Sequence, residues 1–149
     1  MHCIANIINI ISETQKGFLK GRYIGECTRL VYDLIDKLEE DDIPGLLLLI
    51  DIEKAFDTVA WSFIEKTLQF YGFWPSFQKW IKALYCDISS AVTNSGHVSE
   101  FFSLGRGVRQ GDPLSSYLFI LVLELLNAAI KNDPEITGVH INDSEYLLS

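Results

Sequence analysis

The sequence is short of positive charge: 12 Lys and Arg stand against 20 Asp and Glu, for a net charge of −8. Taken alone, that balance argues against a nucleic-acid binder, because such domains neutralise phosphates with excess Lys and Arg. Cysteine is also scarce. Cys3, Cys27 and Cys86 are far apart and odd in number. No Cys-x-x-Cys pair occurs, so neither a zinc site nor a disulfide framework is indicated, and a reducing compartment is the default. No uninterrupted apolar run approaches the roughly 20 residues of a membrane span. The longest, Tyr117 to Leu126, is broken by Glu124; it reads as a core helix, and no membrane partner is expected. The opening Met1-His2-Cys3-Ile4 lacks a basic n-region and a cleavage pattern, which disfavours a secretory signal. His2, His97 and His140 have no partner at ligand spacing. There is no internal repeat, low-complexity tract or linker.

What is present is a chain of 149 residues, 48% hydrophobic, long enough to bury a core as one domain or part of one. Its centre is Leu46-Leu47-Leu48-Leu49-Ile50-Asp51, five aliphatic residues that end on a carboxylate. Opened by Pro44-Gly45, the run reads as a strand buried on both faces. An ionised carboxylate is too costly to bury alone, so Asp51 is expected at the strand's end, within reach of a cation or water.

Around this strand the periodicity predicts a short helix over residues 2–11 and another over 26–40, with Leu30, Val31, Leu34, Ile35 and Leu38 as one apolar stripe. The acidic end of the latter, Glu39 to Asp42, has the wrong sign for a helix C-terminus. Asp57-Thr58 is expected to cap a helix over 58–71, with Phe63, Ile64, Leu68 and Tyr71 inward and Gly72 as the stop. Pro75 opens the next helix, burying Phe77, Ile81, Leu84 and Tyr85. Residues 90–103 read as a hairpin turning at Asn94-Ser95-Gly96. Asp112 caps and Pro113 opens a helix to about Asn132. A last hairpin is expected from Ile136 to Ile141 and from Glu145 onward. It is still apolar at Leu147-Leu148 when the sequence stops at Ser149, which reads as a fragment.

Two loops combine glycine with cations: Gln15 to Arg22, and Gly105 to Pro113. Lys16, Lys20, Arg22, Arg106 and Arg109, five of the twelve cations, lie in them, while the acidic excess lies largely on helices. Glycines admit close backbone approach, a helix N-terminus favours anions, and Arg matches phosphate oxygens in a fork. Asp51 is a hard oxygen ligand suited to Mg²⁺. Together these describe a site for a metal-bound polyphosphate, without telling a polymerase from a phosphatase. A solvated turn remains the plain alternative for the first loop.

Leu49-Ile50-Asp51-Ile52-Glu53-Lys54-Ala55-Phe56-Asp57 resembles the first aspartate motif of reverse transcriptases of non-LTR (LINE-type) retrotransposons, and Arg106-Gly107-Val108-Arg109-Gln110-Gly111-Asp112-Pro113-Leu114-Ser115 resembles that family's next motif. Gln15 to Phe18 with Gly21-Arg22 is similar to the stretch before them. Phe70 to Phe73, Trp80-Ile81 and Ile136 to Val139 also fall where the family has similar residues. Ser116 stands where the family usually has proline.

The resemblance implies an α+β fold: a partial right-hand polymerase palm over residues 1–149, with an antiparallel sheet backed by helices. It implies an RNA-directed DNA polymerase with RNA template, DNA primer and dNTPs as partners, working inside the cell in nucleus or cytoplasm. Asp51 would be catalytic and would ligate two Mg²⁺ ions, with Mn²⁺ as a substitute, and the Ile52 carbonyl would complete one of them. Phe56 would lie under the sugar and exclude a 2′-hydroxyl. Arg109, Gln110 and Gly111 would line the nucleotide pocket; Lys20, Arg22 and Arg106 would follow nucleic acid. The family's Tyr-Ala-Asp-Asp hairpin, remaining fingers and thumb are not in this sequence, so the isolated chain is expected to be inactive. Two rivals stand beside this: a non-enzymatic palm remnant that binds RNA weakly, and a phosphotransferase that forms an aspartyl-phosphate on Asp51.

Overall fold

Local periodicity places most of the helices, and tertiary pairing decides where one of them starts. The computed structural model of the chain describes residues 7, 9–141 and 144–146. The architecture is mixed: helices with small two-stranded antiparallel ribbons. It divides into two compact units, residues 1–51 with 123–149, and residues 52–122.

In the first unit, residues 7, 9 and 10 are helical, and Ile7, Ile11, Leu19 and Ile141 form the buried core. Residues 1–6 and 8 of the expected first helix lie outside the described residues. Helix α1 (Gly25–Glu40) follows. Its expected stripe is only half-buried at Val31, Leu34, Ile35 and Leu38, and Leu30 is exposed. The acidic C-terminus is offset locally, because the Lys37 ammonium lies 2.9 Å from Asp41 and 3.5 Å from Glu40. The hydrogen bond to Asp41 is the main reason the Lys37 pKa is raised. A Cβ on Gly45 would stand 2.9 Å from Leu38 Cδ1 and 3.5 Å from Val139 Cγ2, so the chain passes close to both.

The expected central strand is not there. Residues 43–52 have no regular secondary structure, and Leu46 to Ile50 are between 47% and 90% exposed. Hydrophobicity makes a run suitable for a strand, but a strand exists only where a neighbour satisfies its N–H and C=O groups. No described strand runs beside this segment. The single antiparallel sheet is replaced, among the described residues, by three separate ribbons.

The second unit begins with a four-residue helix, α2 (Ala55–Thr58), entered through Lys54 in the left-handed region. Helix α3 (Trp61–Phe70) starts after Ala60, not at Asp57-Thr58. The expected cap fails because Val59 is extended and accepts a hydrogen bond from Gly107 N at 2.8 Å, while Ala60 bridges Arg106. A long-range backbone pairing thus takes the residues that would have been the helix's first turn. The other end is as expected. Gly72, with φ +68°, ends α3, and Phe73 N closes on Leu68 O at 2.9 Å.

Helix α4 (Pro75–Leu84) packs on α3. Ile64, Thr67, Leu68, Phe73, Ile81 and Tyr85 are buried there, whereas Phe63 and Leu84, expected inward, are exposed. Beyond α4, Cys86 Sγ donates to Asp87 Oδ2 at 3.3 Å. That carboxylate, by hydrogen bond and by charge, pushes the thiol's pKa up and makes it a poorer nucleophile.

The hairpin of residues 88–104 is built from two nested pairs. β1 (Ser89–Ser90) pairs with β4 (Phe102–Ser103), and β2 (Thr93–Asn94) pairs with β3 (His97–Val98). Ser95 and Gly96 both have positive φ, as a two-residue primed turn requires.

Helix α5 (Pro113–Asn132) begins where the sequence predicts, with Asp112 Oδ1 accepting from Leu114 N at 2.9 Å. It is long and apolar enough to cross a membrane by length and composition. Leu118, Phe119, Ile120 and Leu121 are buried in protein, while most of the helix is half-buried or exposed. β5 (Val139–Ile141) pairs with β6 (Ser144–Tyr146) in the final hairpin, whose turn residues 142 and 143 lie outside the described residues.

Candidate functional site

In the second unit the loop of residues 105–112 lies along the segment of residues 56–61. Gly107 N donates to Val59 O, and Val108 N to Phe56 O, each at 2.8 Å. The Gly107 carbonyl accepts from Trp61 Nε1 at 2.8 Å. Val108 is buried, anchoring the loop from below. Gly107 has φ +94°, and a Cβ there would press against Asp57 O at 3.2 Å and Asp57 Cα at 3.3 Å. Both the turn and the close approach therefore require glycine.

Side chains from both segments meet at this seam. Gln110 Nε2 reaches Asp57 Oδ1 at 3.4 Å. Phe56 is half-buried, and its ring stacks on Phe119 of α5 with centroids 4.8 Å apart and planes at 23°. Arg106, Arg109, Gln110 and Gly111 are exposed. Neither arginine has an ion pair among the described residues. The paired segments thus carry two exposed arginines, an exposed glutamine and a half-buried aromatic ring, and the loop runs into the N-terminus of α5. Such a set of groups suits a phosphorylated ligand with a ring or sugar to pack on.

The structure therefore joins five of the sequence candidates, Phe56, Arg106, Arg109, Gln110 and Gly111, in one unit. Ile52 begins that unit and is exposed. Asp51, Lys20 and Arg22 belong to the other unit. Asp51 is an exposed carboxylate. The Arg22 guanidinium is committed to the backbone: it donates to the carbonyls of Ser12, Gln15 (2.7 Å) and Ile11 (3.4 Å). Lys16 pairs with Glu26 at 2.7 Å. Lys20 is exposed and has no ion pair among the described residues. The first glycine loop is thus folded around Arg22, and Lys20 is the cation it leaves outward.

Sequence reasoning did not single out three contributors. Trp61 is one of several aromatics in the sequence, Asp57 is expected there as a helix cap, and Phe119 is one apolar residue among many on its helix. The sequence signal for a close backbone is the glycine between the two arginines, Gly107. As for metals, no group of three or more His, Cys, Asp or Glu gathers among the described residues. Asp51 offers a single carboxylate, which does not by itself fit a two-ion site.

Comparison with known proteins places these features. Residues 1–143 match the family described as "Reverse transcriptase (RNA-dependent DNA polymerase)". The chain is 33% identical over 118 residues to the transposon TX1 uncharacterized 149 kDa protein of Xenopus laevis, covering 79% of this chain and 9% of that protein. It is 39% identical over 77 residues to the retrovirus-related Pol polyprotein from type-2 retrotransposable element R2DM of Drosophila melanogaster, covering 52% and 7%. It is 36% identical over 90 residues to a Pol polyprotein from type-1 retrotransposable element R2 of Popillia japonica, covering 60% and 13%. The matched regions are thus about a tenth of these relatives' length.

Proposed function

We propose that this chain, which belongs to the reverse transcriptase (RNA-dependent DNA polymerase) family, forms part of the right-hand palm of a retrotransposon RNA-directed DNA polymerase and carries much of its nucleotide pocket. The observation that carries this reading is the pinning of the Arg106 to Gly111 loop onto Phe56 to Ala60 by backbone hydrogen bonds. It unites the two segments whose sequences carry the resemblance.

In this reading the incoming dNTP lies on the seam. Arg109 meets its phosphates, and Gln110 and Gly111 border the base and template. Phe56, backed by Phe119, supports the sugar and leaves no room for a 2′-hydroxyl. Lys20 and Arg106 track phosphates of the RNA template and DNA primer, with Arg22 holding the loop that presents Lys20. Asp51 is the catalytic carboxylate and, with the Ile52 carbonyl, contributes to holding Mg²⁺. The remaining carboxylates come from other parts of the polymerase, since one carboxylate does not complete the site.

The test is primer extension. A full-length protein carrying this chain should extend a DNA primer on an RNA template with dNTPs, and the isolated 149-residue chain should not. Failure of the full-length protein to incorporate any dNTP, with template bound, would remove the assignment.

A further inference from the structure

The Trp61 indole is the one side chain that reaches the pinned loop's backbone with a hydrogen bond among the described residues. It spans 46 positions of sequence to do so. The Gly107 residue is thereby held on both sides: its N–H by Val59 O and its C=O by Trp61 Nε1, each at 2.8 Å. Gly107 has no side chain to pack, so the residue itself is held through its backbone N–H and C=O, beside the Val108 anchor and the Ala60–Arg106 bridge.

The ring itself is not locked by packing alone. Tyr85 lies 5.8 Å away, tilted by 44°. Next to the ring is a surface pocket of about 270 Å³, open to solvent, with Ile64, Ile81 and Tyr85 as apolar walls and Glu65, Lys82 and Asp87 also lining it. The indole is only half-buried, so its bond to Gly107 adds a directional tie between ring and loop that packing does not supply. Three residues beyond Gly107 is Gln110, which in turn contacts Asp57.

We propose that Trp61 is a positioning residue: its indole N–H holds the Gly107 carbonyl, and so sets the placement of Arg109 and Gln110 in the nucleotide pocket. The kinetic consequence rests on the polymerase reading above; the structural consequence does not. Trp61→Phe keeps an aromatic ring and removes the donor. Trp61→His keeps a ring N–H.

Two measurements test this. The first is limited trypsin digestion of the chain, which reads the loop at Arg106 and Arg109 against internal controls at Lys66 on α3 and Lys79 on α4. Trp61→Phe should speed cleavage at the two arginines by about three- to tenfold, the range expected for one lost hydrogen bond. Cleavage at the two lysines should be unchanged, and Trp61→His should restore part of the protection. Equal loop cleavage in Trp61→Phe and the parent, or equal acceleration at all four sites, would overturn the proposal. The second is primer extension by the full-length protein. There the same substitution should raise KM for dNTP with kcat largely kept. A fall in kcat at constant KM would overturn the proposal. If the parent protein does not extend primers at all, the polymerase reading fails, and digestion alone decides the role of Trp61.

Discussion

Asp51→Asn is expected to reduce primer extension by the full-length protein about a thousandfold or more, the equivalent of roughly 4 kcal/mol of lost transition-state stabilisation. The substitution keeps size and shape and removes only the charge. Asp51 is exposed, lies in a segment without regular structure, and has no ion pair or side-chain hydrogen bond among the described residues. Folding should therefore not change, and thermal unfolding of the variant should match the parent. Primer–template binding should also persist, because it is carried by Lys and Arg contacts to phosphate. A loss confined to the chemical step would identify Asp51 as the catalytic carboxylate. Extension within a few-fold of the parent would show that the resemblance at this residue does not extend to its role.

The second large effect concerns stability. Leu68→Ala should destabilise the second unit by about 2–5 kcal/mol, the usual cost of truncating a fully buried leucine. Leu68 is 0% exposed on α3, which packs on α4. Domains are stable by only about 5–15 kcal/mol, so this single change removes a large share. Helix α3 also presents Trp61 in its first turn. Loosening the helix should therefore expose the Gly107 loop as well. Urea unfolding measures the effect directly. A midpoint equal to the parent's would mean that α3 and α4 do not share a core.

The helices were largely legible in the sequence because their signals are local. Pro75, Asp112-Pro113 and Gly72 act through backbone geometry at their own positions, and each marks a boundary that the structure keeps. The turn at Ser95-Gly96 is of the same kind. Two features escaped because they depend on distant partners. Leu46 to Ile50 has a strand's composition, yet no described neighbour pairs with it, and its side chains face outward. Asp57-Thr58 has a cap's composition, yet pairing of residues 59 and 60 with the glycine loop starts the helix later.

The candidate site divides in the same way. Phe56, Arg109 and Gln110 could be named from motif spacing and chemistry. Their neighbours Trp61, Asp57 and Phe119 could not, since an aromatic or acid shows its partner only once the chain is folded. Arg22 illustrates the converse. Its charge and glycine-rich setting suggest phosphate, while the folded loop uses its guanidinium to hold three carbonyls.

The most direct measurement is photolabelling of the full-length protein by a dNTP carrying a photoreactive base, with primer and RNA template bound. Label should fall on residues 52–61 and 105–113 and be competed away by ordinary dNTP. Competed label confined to other parts of the chain, such as α1 or α4, would contradict the proposed nucleotide pocket.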